Sequence, residues 1–316
     1  MNFKTLLNNE VSKLTRRRIL IIDGDDKRAI DAAKELEKYS NLEIILLTEK
    51  NENINTKAQV LNMFANEEKI EELANKYFEL RKGKEDIETS RKVLRTRPFY
   101  AMMLLANNEI DGVVGGLNYS TADILRAAFK AIGPKKGIKT ISSVMIMHKE
   151  EMTYFFTDIS VNPKPELENL VDIAKNASDF AKSFNVNPKV AFLSFSTSGS
   201  AKTDETIKVS EAAKLFNESN EGIKAIGEVQ FDTAISENVR KAKYSGESFG
   251  GEANIFVFPD LNAGNIGYKI AQRLGNFGAI GPIITGVNKP VNDLSRGSTV
   301  EDVVNTVLIT SLQSKK

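Results

Sequence analysis

Residues 18–47, RILIIDGDDKRAIDAAKELEKYSNLEIILL, contain the pattern that decides the fold. RILII is a short apolar run typical of a buried strand, and KRAIDAAKELEKY has the apolar spacing of an amphipathic helix. LEIILL then predicts a second buried strand. A strand, a helix and another strand in this order indicate a parallel pair of strands joined by a crossover helix.

The same alternation continues along the chain. Further strand-like runs are separated by helical segments: DGVVGG, KVAFLSFS, IKAIGEVQ, ANIFVFPD and AIGPIITGV. In the middle of the chain, TISSVMIM and MTYFFTDI are separated only by HKEE, which favours a hairpin or a paired crossover. We therefore predict an α/β fold with mostly parallel sheets.

The length of 316 residues exceeds what one core usually serves, so two domains are expected. The chain crosses between them near KKGIKTIS and again near GVNKPVND. We predict a discontinuous domain I, residues 1–138 plus 288–316, and an inserted domain II, residues 139–287.

Composition narrows the class of protein. The 43 Lys and Arg residues balance 42 Asp and Glu residues, so no overall charge favours nucleic acid or an anionic membrane. The chain has no cysteine, which excludes disulfides, thiolate metal sites and an acyl-cysteine intermediate. MNFKTLLNNEVSKL lacks the apolar core of a secretion signal, and no apolar run approaches the roughly 18 residues of a membrane span. These features predict a cytoplasmic protein.

A metal site is not expected. His148 is the only histidine, and it follows VMIM in a polar link where a surface position is expected. Asp158, Asp232 and Asp260 are too far apart in sequence to argue for a cluster. The aromatic residues of TYFF alternate in a way that indicates strand core.

Three junctions between a strand and a helix consist of small or polar residues: GGLNYSTAD (115–123), SFSTSGSAKTD (194–204) and FPDLNAGNIG (258–267). Glycine allows a ligand close to the backbone, and helix N-termini suit anions. Each junction is a candidate phosphate cradle, but none has the spacing of a P-loop or of G-x-G-x-x-G. Alone, each is a weak sign, because α/β proteins need such turns anyway.

The stretch PVNDLSRGSTVEDVV, residues 290–304, is more informative. Ser298 and Glu301 fit a capping box that would begin a helix, and Asp302 falls opposite the apolar stripe of that helix. An acid in the first helical turn is explained by the helix dipole alone. Ser295 and Arg296 precede the cap and are not explained in this way. Arginine binds phosphate oxygens through bidentate hydrogen bonds. The alternative to helix capping is therefore a site that holds a phosphoryl group and moves a proton.

Four stretches carry a resemblance to a known family: NKPVNDLSRGSTVEDVV, FPDLNAGNIGYKIAQRLG, NYSTADILRAA and ELRKGK. They resemble the phosphate acetyltransferase family, which also contains phosphate butyryltransferases, and the similarity spans nearly the whole chain. The resemblance implies a two-domain, three-layer α/β/α protein with an isocitrate dehydrogenase-like architecture. It also implies a homodimer with its active site in the cleft between the domains.

The resemblance further implies the reaction acetyl-CoA + phosphate ⇌ CoA + acetyl phosphate, by direct thiolate attack in a ternary complex. In this family's pattern Asp302 matches the acid that takes the CoA thiol proton, and Ser295 matches the hydroxyl that stabilises the tetrahedral oxyanion. Arg296 matches the arginine at the same centre. These three residues are the predicted catalytic set.

Arg81 and Arg126 match the arginines that position phosphate or CoA, and we add Ser120 and Thr121 to this predicted substrate-binding set. Coenzyme A is expected as a substrate, with no tightly bound cofactor and no metal. Some relatives carry cysteine where this chain has Ser298, but the implied mechanism uses no enzyme thiol.

Three alternatives stay open. A phosphate butyryltransferase would run the same chemistry with a larger acyl pocket. A non-catalytic acyl-CoA-binding protein would not need Ser295, Arg296 and Asp302 together. A metal- and NAD-dependent decarboxylating dehydrogenase of similar architecture would need clustered acids, which the sequence does not indicate. Assays with acetyl-CoA and butyryl-CoA separate the first alternative from acetyl transfer.

Overall fold

A computed structural model describes residues 2–51, 53–220 and 222–314. The chain divides into two compact units. The inserted unit comprises Gly137–Gly286 and the N-terminal residues as far as Leu6, and the outer unit comprises Leu7–Lys136 and the chain from Val287 onward. The predicted division placed the N-terminal residues in domain I, whereas those as far as Leu6 group with the inserted unit. Phe3 packs on Phe184 of the inserted unit, with 5.3 Å between ring centroids.

The amphipathic segment KRAIDAAKELEKY forms a helix as predicted, and most of the described helices begin with a side-chain cap. The described α-helices are α1 Phe3–Ser12, α2 Lys27–Leu36, α3 Glu67–Arg81, α4 Ile87–Leu94, α5 Arg97–Ala106, α6 Thr121–Ala131, α7 Leu167–Lys182, α8 Asp204–Ser219, α9 Phe231–Ile235, α10 Glu237–Lys243, α11 Leu261–Arg273 and α12 Val300–Gln313.

Strands form at every predicted apolar run and at two further places. They are β1 Arg17–Ile21, β2 Leu42–Thr48, β3 Gln59–Asn62, β4 Gly112–Gly115, β5 Ser142–Lys149, β6 Met152–Thr157, β7 Val190–Leu193, β8 Ala225–Val229, β9 Ile255–Val257, β10 Gly278–Thr285 and β11 Val291–Asp293. The sequence patterns did not predict β3 or β11. Both are short and partly polar, and they form the two edges of one sheet.

The outer unit has a five-stranded sheet in the order β11-β4-β1-β2-β3, and every pair in it is parallel. Leu20 and Ile22 point to the face covered by α3, α5 and α6. On the other face, α2 and α12 pack on the strands and on each other. Because both faces are covered, the strands are apolar throughout rather than alternating.

The inserted unit has a six-stranded sheet in the order β10-β5-β6-β9-β7-β8. β5 and β6 form an antiparallel hairpin, which is one of the two arrangements predicted, β10 pairs antiparallel with β5, and the remaining pairs are parallel. The predicted α/β class with mostly parallel sheets is therefore confirmed.

The hairpin corrects one prediction and bears out another. His148 does not lie in a polar link: it is part of β5, opposite Thr153 and Gly278, and its ring stacks on Phe3 at 6.0 Å. The neighbouring aromatic residues Tyr154, Phe155 and Phe156 are buried, as predicted. Within the described residues, no helix is both long and apolar enough to span a membrane.

Candidate active site

Parallel strands end at one edge of the outer sheet, and the candidate site lies at that edge. The chain leaves β1 at Ile22, leaves β4 at Gly116 and leaves β11 at Leu294. In open α/β sheets, ligands bind outside the carboxyl ends of the strands. All seven residues predicted to be catalytic or to bind substrate belong to this unit.

The loop after β11, residues 294–299, is a tight turn closed by serines. The Ser298 amide donates to the Ser295 carbonyl at 2.9 Å, and the Ser295 amide donates to the Ser298 hydroxyl oxygen at 3.0 Å. The Gly297 amide donates to Ser295 Oγ at 3.0 Å. Because Ser295 Oγ is the acceptor in that bond, its own proton is available to a ligand.

The helix after this loop begins one residue later than predicted. Thr299, not Ser298, is the N-cap of α12, and Asp302, not Glu301, completes the capping box. Thr299 Oγ1 accepts from the Asp302 amide at 3.2 Å. The physical reason is that Ser298 is already used to close the turn, so the next hydroxyl caps the helix.

The capping box fixes the carboxylate of Asp302. Its Oδ2 accepts from the Thr299 amide at 2.8 Å and from the Thr299 hydroxyl at 2.9 Å. Its Oδ1 receives no hydrogen bond from the described residues. One oxygen therefore orients the group and the other is left to accept a proton, so helix capping and proton transfer are compatible in one side chain.

Arg28, at the start of α2, holds the 294–299 loop in place. Its guanidinium donates to the carbonyls of Arg296 at 2.8 Å and Ser298 at 3.0 Å, and it forms an ion pair with Asp26 at 2.8 Å. The same group approaches the Leu117 carbonyl at 3.4 Å. Arg28 thus joins the loops that follow three different strands.

The Arg296 side chain is exposed and makes no hydrogen bond or ion pair with the residues that the structure describes. Only its carbonyl is engaged, by Arg28. A guanidinium next to a hydroxyl with a free proton can bind an anion or a carbonyl oxygen that gains negative charge.

The loop after β4 wraps around a buried carboxylate. Asp23 is 0% exposed and accepts from the amides of Gly116 at 2.9 Å, Leu117 at 3.2 Å and Asn118 at 2.9 Å. Burial raises the pKa of Asp23, and the three N–H groups oppose that change. Gly116 has φ +113°, and a Cβ there would lie 2.4 Å from Asp293 Oδ1, so only glycine fits.

Ser120 and Thr121 start α6. Ser120 is the N-cap of α6: its Oγ accepts from the Asp123 amide at 3.2 Å and donates to Asp123 Oδ2 at 2.6 Å. The Thr121 hydroxyl donates to Asp293 Oδ2 at 2.5 Å. Both hydroxyl protons are therefore used within the protein, and each oxygen reaches a ligand only as an acceptor.

The two predicted substrate arginines each lie beside an acid of the outer unit. Arg126 is 57% exposed and pairs with Asp123 at 3.0 Å. Arg81 is the last residue of α3 and lies 3.5 Å from Glu85, which also pairs with Lys130 of α6 at 2.7 Å. In the described part of the chain, no hydrogen bond or ion pair joins either arginine to residues 295–302. Their roles stay predictions.

Sequence reasoning did not assign Asp23, Arg28 or Asp293 to the site. The available signal was the run DGDD directly after the first strand, since acids at the end of a buried parallel strand face the ligand edge of the sheet. Among the described residues, no three His, Asp or Glu side chains are grouped closely enough to hold a metal ion.

Comparison with known proteins identifies the relatives of this chain. The model of a family described as phosphate acetyl/butaryl transferase matches residues 3–311. A phosphate acetyltransferase from Bacillus subtilis is 44% identical over 306 residues, which is 94% of each chain.

Two solved structures are similar over the full length. A phosphotransacetylase from Streptococcus pyogenes has 39% identity and a TM-score of 0.94 over 99% of both chains. A phosphotransacetylase from Staphylococcus aureus has 38% identity and a TM-score of 0.91 over 100% of both chains. On these similarities and on the site described above, the chain is an acyltransferase that belongs to the phosphate acetyl/butaryl transferase family.

Proposed function

We propose that the chain transfers an acetyl group reversibly between CoA and phosphate, at the edge of the outer sheet where the loops after β1, β4 and β11 meet. The observation that carries this proposal is that Ser295, Arg296 and Asp302 lie together in one short segment of defined conformation. The turn and the capping box share the segment 295–302, and Arg28 anchors it.

Asp302 acts as the proton acceptor for the CoA thiol. A free thiol has a pKa of about 8.5, so only a small fraction is thiolate at neutral pH. A carboxylate within hydrogen-bond reach removes the proton as sulfur attacks the carbonyl carbon of acetyl phosphate. The capping bonds to Oδ2 orient the group, and Oδ1 is the oxygen that takes the proton.

Ser295 and Arg296 stabilise the charge that develops on the carbonyl oxygen and on the phosphate. The free hydroxyl proton of Ser295 is directed at the oxyanion, a contribution of about 3 kcal/mol when the donor is well placed. The exposed guanidinium of Arg296 offsets charge as the carbon–oxygen bond breaks. The electron pair of that bond leaves with phosphate, and no acyl-enzyme is required once both substrates are aligned.

Arg81 and Arg126 bind the anionic groups of the substrates, together with the start of α6. The backbone N–H groups of Thr121 and Ala122 are in the first helical turn and have no intrahelical acceptor. Such a helix start binds phosphate oxygens. Ser120 and Thr121 contribute through the backbone of this helix start rather than through their hydroxyls, because their hydroxyl protons are bonded to Asp123 and Asp293.

The test is formation of acetyl phosphate from acetyl-CoA and phosphate by the purified chain, with the reverse reaction as a second measurement. We expect a higher kcat/KM with acetyl-CoA than with butyryl-CoA. A clear preference for butyryl-CoA would reject acetyl transfer in favour of butyryl transfer. If acetyl phosphate is not consumed in the presence of CoA, the chain is a non-catalytic binding protein.

We further propose that the protein is a homodimer in the cytoplasm. The absence of cysteine is consistent with a reducing compartment. Sedimentation analysis tests the assembly: a single species at the 35.0 kDa of one chain would contradict the dimer. Cell fractionation tests the compartment.

A further inference from the structure

Asp293, at the end of β11, is a buried acid that the proposed reaction does not use. It is 3% exposed, and its Oδ2 accepts the Thr121 hydroxyl. Its Oδ1 is also buried and has no hydrogen-bond partner in the described structure. Burying a carboxyl oxygen without a hydrogen-bond partner costs free energy. The hydrogen bond that the other oxygen makes to Thr121 therefore requires an explanation.

Asp23 shows what a purely structural carboxylate looks like at the same place. Both its oxygens are satisfied, by the amides of Gly116, Leu117 and Asn118, and this bonding holds the loop after β4 to β1. Among the described residues, no backbone N–H donates to the Asp293 carboxylate. The one hydrogen bond described for this carboxylate goes to a side chain on another element, so it adds little to local loop stability and instead joins two separate elements.

The two elements are the ones that carry the predicted site residues. Thr121 is the first residue of α6, which bears Arg126 one and a half turns later. Asp293 is the last residue of β11, and Leu294 alone separates it from Ser295 and Arg296. We propose that Asp293 is a positioning residue, which fixes the start of α6 relative to the 294–299 loop by accepting the Thr121 hydroxyl.

This inference rests on the proposed function, because it assigns the two joined elements to one reaction. Its physical basis is the precision that transfer between aligned substrates requires: a displacement of about 1 Å can cost about 100-fold in rate. A hydrogen bond inside the protein is stronger than one in water and holds its geometry better. The Arg28 contacts fix the 294–299 loop to α2 and to Leu117, but they do not reach α6 itself.

The elements around Asp293 carry more acidic than basic side chains. These charged groups are Asp23 after β1, the Arg28–Asp26 pair at α2, Asp123 and Arg126 in α6, and Asp302 in α12. Burial, with a further contribution from Asp23, raises the pKa of Asp293 to about 7, against a smaller opposing effect of Thr121. A neutral carboxyl still accepts the Thr121 bond through its carbonyl oxygen, so an amide can replace it.

The experiment compares Asp293→Ala, Asp293→Asn and Thr121→Val with the unchanged chain in the acetyl-transfer assay. We expect Asp293→Ala to lower kcat at least 10-fold with a change of less than 3-fold in the KM for CoA. Asp293→Asn is expected to restore kcat to within 3-fold of wild type. Thr121→Val removes the same bond from the other side without changing the side-chain volume. It should lower kcat in the unchanged chain but have little further effect in the Asp293→Ala background.

The outcomes are distinct. Wild-type kinetics in Asp293→Ala, an Asp293→Asn variant as impaired as the alanine variant, or fully additive effects of Asp293→Ala and Thr121→Val would each overturn the inference. Asp111→Asn is the matched control, because Asp111 is a carboxylate bonded to the Arg18 amide beside the opposite end of β4. We expect wild-type kcat for this variant.

A second measurement separates failure of the inference from failure of the proposed function. Without substrate, hydrogen exchange of the Asp123 and Ile124 amides, which donate to the Ser120 carbonyl, should accelerate in Asp293→Ala and Thr121→Val but not in Asp293→Asn. If the unchanged chain is inactive, the proposed function fails, and the exchange data still decide whether Asp293 fixes α6. If exchange is unaltered in both Asp293→Ala and Thr121→Val, the positioning role is refuted even in an active enzyme.

Discussion

Two loops in the molecule, residues 194–204 after β7 and residues 294–299 after β11, are both rich in serine, threonine and glycine and both precede a helix. In the first, the hydroxyl of Ser196 is buried and turned inward. Ser196 Oγ accepts from the Ala201 amide at 3.0 Å and donates to Glu228 Oε1 at 3.0 Å. The Gly199 amide donates to the same carboxylate oxygen at 2.7 Å. Glu228 is 4% exposed, so this loop is built around a buried acid.

The second loop has no such acid at its centre. Ser295 Oγ accepts from the Gly297 amide and keeps its proton, and the Arg296 guanidinium extends into solvent. The difference teaches that small polar residues before a helix do not by themselves indicate a ligand site. Hydroxyls whose protons are bonded inside the protein stabilise the fold, whereas a hydroxyl that only accepts within the protein can still donate to a substrate.

The largest effect that tests this contrast is expected at Asp302. Asp302→Asn should lower kcat about 100- to 10,000-fold, because the amide cannot take the thiol proton. The KM for CoA should change far less, and the fold should persist because asparagine still accepts the Thr299 amide. Steady-state kinetics provide the measurement. Glu301→Gln, the exposed neighbouring acid in the same helical turn, is the control, and wild-type turnover in Asp302→Asn would remove Asp302 from the mechanism.

Ser295→Ala and Ser196→Ala make the contrast between the two loops direct. Ser295→Ala should lower kcat about 100-fold or more through loss of an oxyanion donor, with little change in the melting temperature. Ser196→Ala should instead cost about 1–3 kcal/mol of unfolding free energy, because Glu228 and the Ala201 amide lose a partner. Denaturant unfolding and steady-state kinetics on both variants give the result. If Ser295→Ala mainly lowers stability and Ser196→Ala mainly lowers kcat, the interpretation of the two loops is wrong.

Arg126→Gln should produce a smaller effect that is confined to binding. The KM for phosphate or acetyl phosphate should rise about 10-fold, equivalent to about 1.4 kcal/mol, with kcat nearly unchanged. Stability should change little, because the pair with Asp123 is exposed. Arg91→Gln, which removes an exposed helical arginine paired with Glu71, is the matched control. Unaltered KM values for both substrates would make Arg126 structural.

The smallest expected effect is the pH dependence of stability caused by Asp293. Its pKa of about 7 in the folded chain lies above the ordinary 3.8, so the folded state binds the extra proton between these values. Stability from this group therefore falls as pH rises from about 4 to 7. Asp293→Asn lacks this fall, so wild type should lose about 3 °C in melting temperature relative to the variant between pH 5 and 7.5. A constant difference across that range would contradict the raised pKa.

Much of the fold follows from local pattern. RILII, LEIILL and ANIFVFPD predict their strands because parallel strands covered on both faces need continuous apolar runs. β11 was missed because its three residues, VND, carry no such run. Its strand conformation depends on pairing with β4, seen in the Val113 amide that donates to the Pro290 carbonyl at 3.0 Å. The cap at Thr299 was misassigned by one residue, because two adjacent hydroxyls compete and only the turn decides between them.

The residues of the candidate site also divide into those that the sequence indicated and those that only the structure revealed. Ser295, Arg296 and Asp302 drew attention within one short segment, and the resemblance to the family gave them their predicted catalytic roles. Arg28, Asp23 and Asp293 were not, because each acts on a distant part of the chain.

The order of strands and helices, the parallel sheets and the chemical groups of segment 295–302 were determined by the sequence alone, because periodicity, turn chemistry and residue type are local. Only the tertiary structure decided which polar groups remain available. Arg28 reaches the Arg296 carbonyl across 268 positions of sequence, and Thr121 meets Asp293 across 172. Such contacts depend on how the strands are ordered in the sheet, and a hydrogen bond is settled only when its donor and acceptor are brought within about 3 Å of each other.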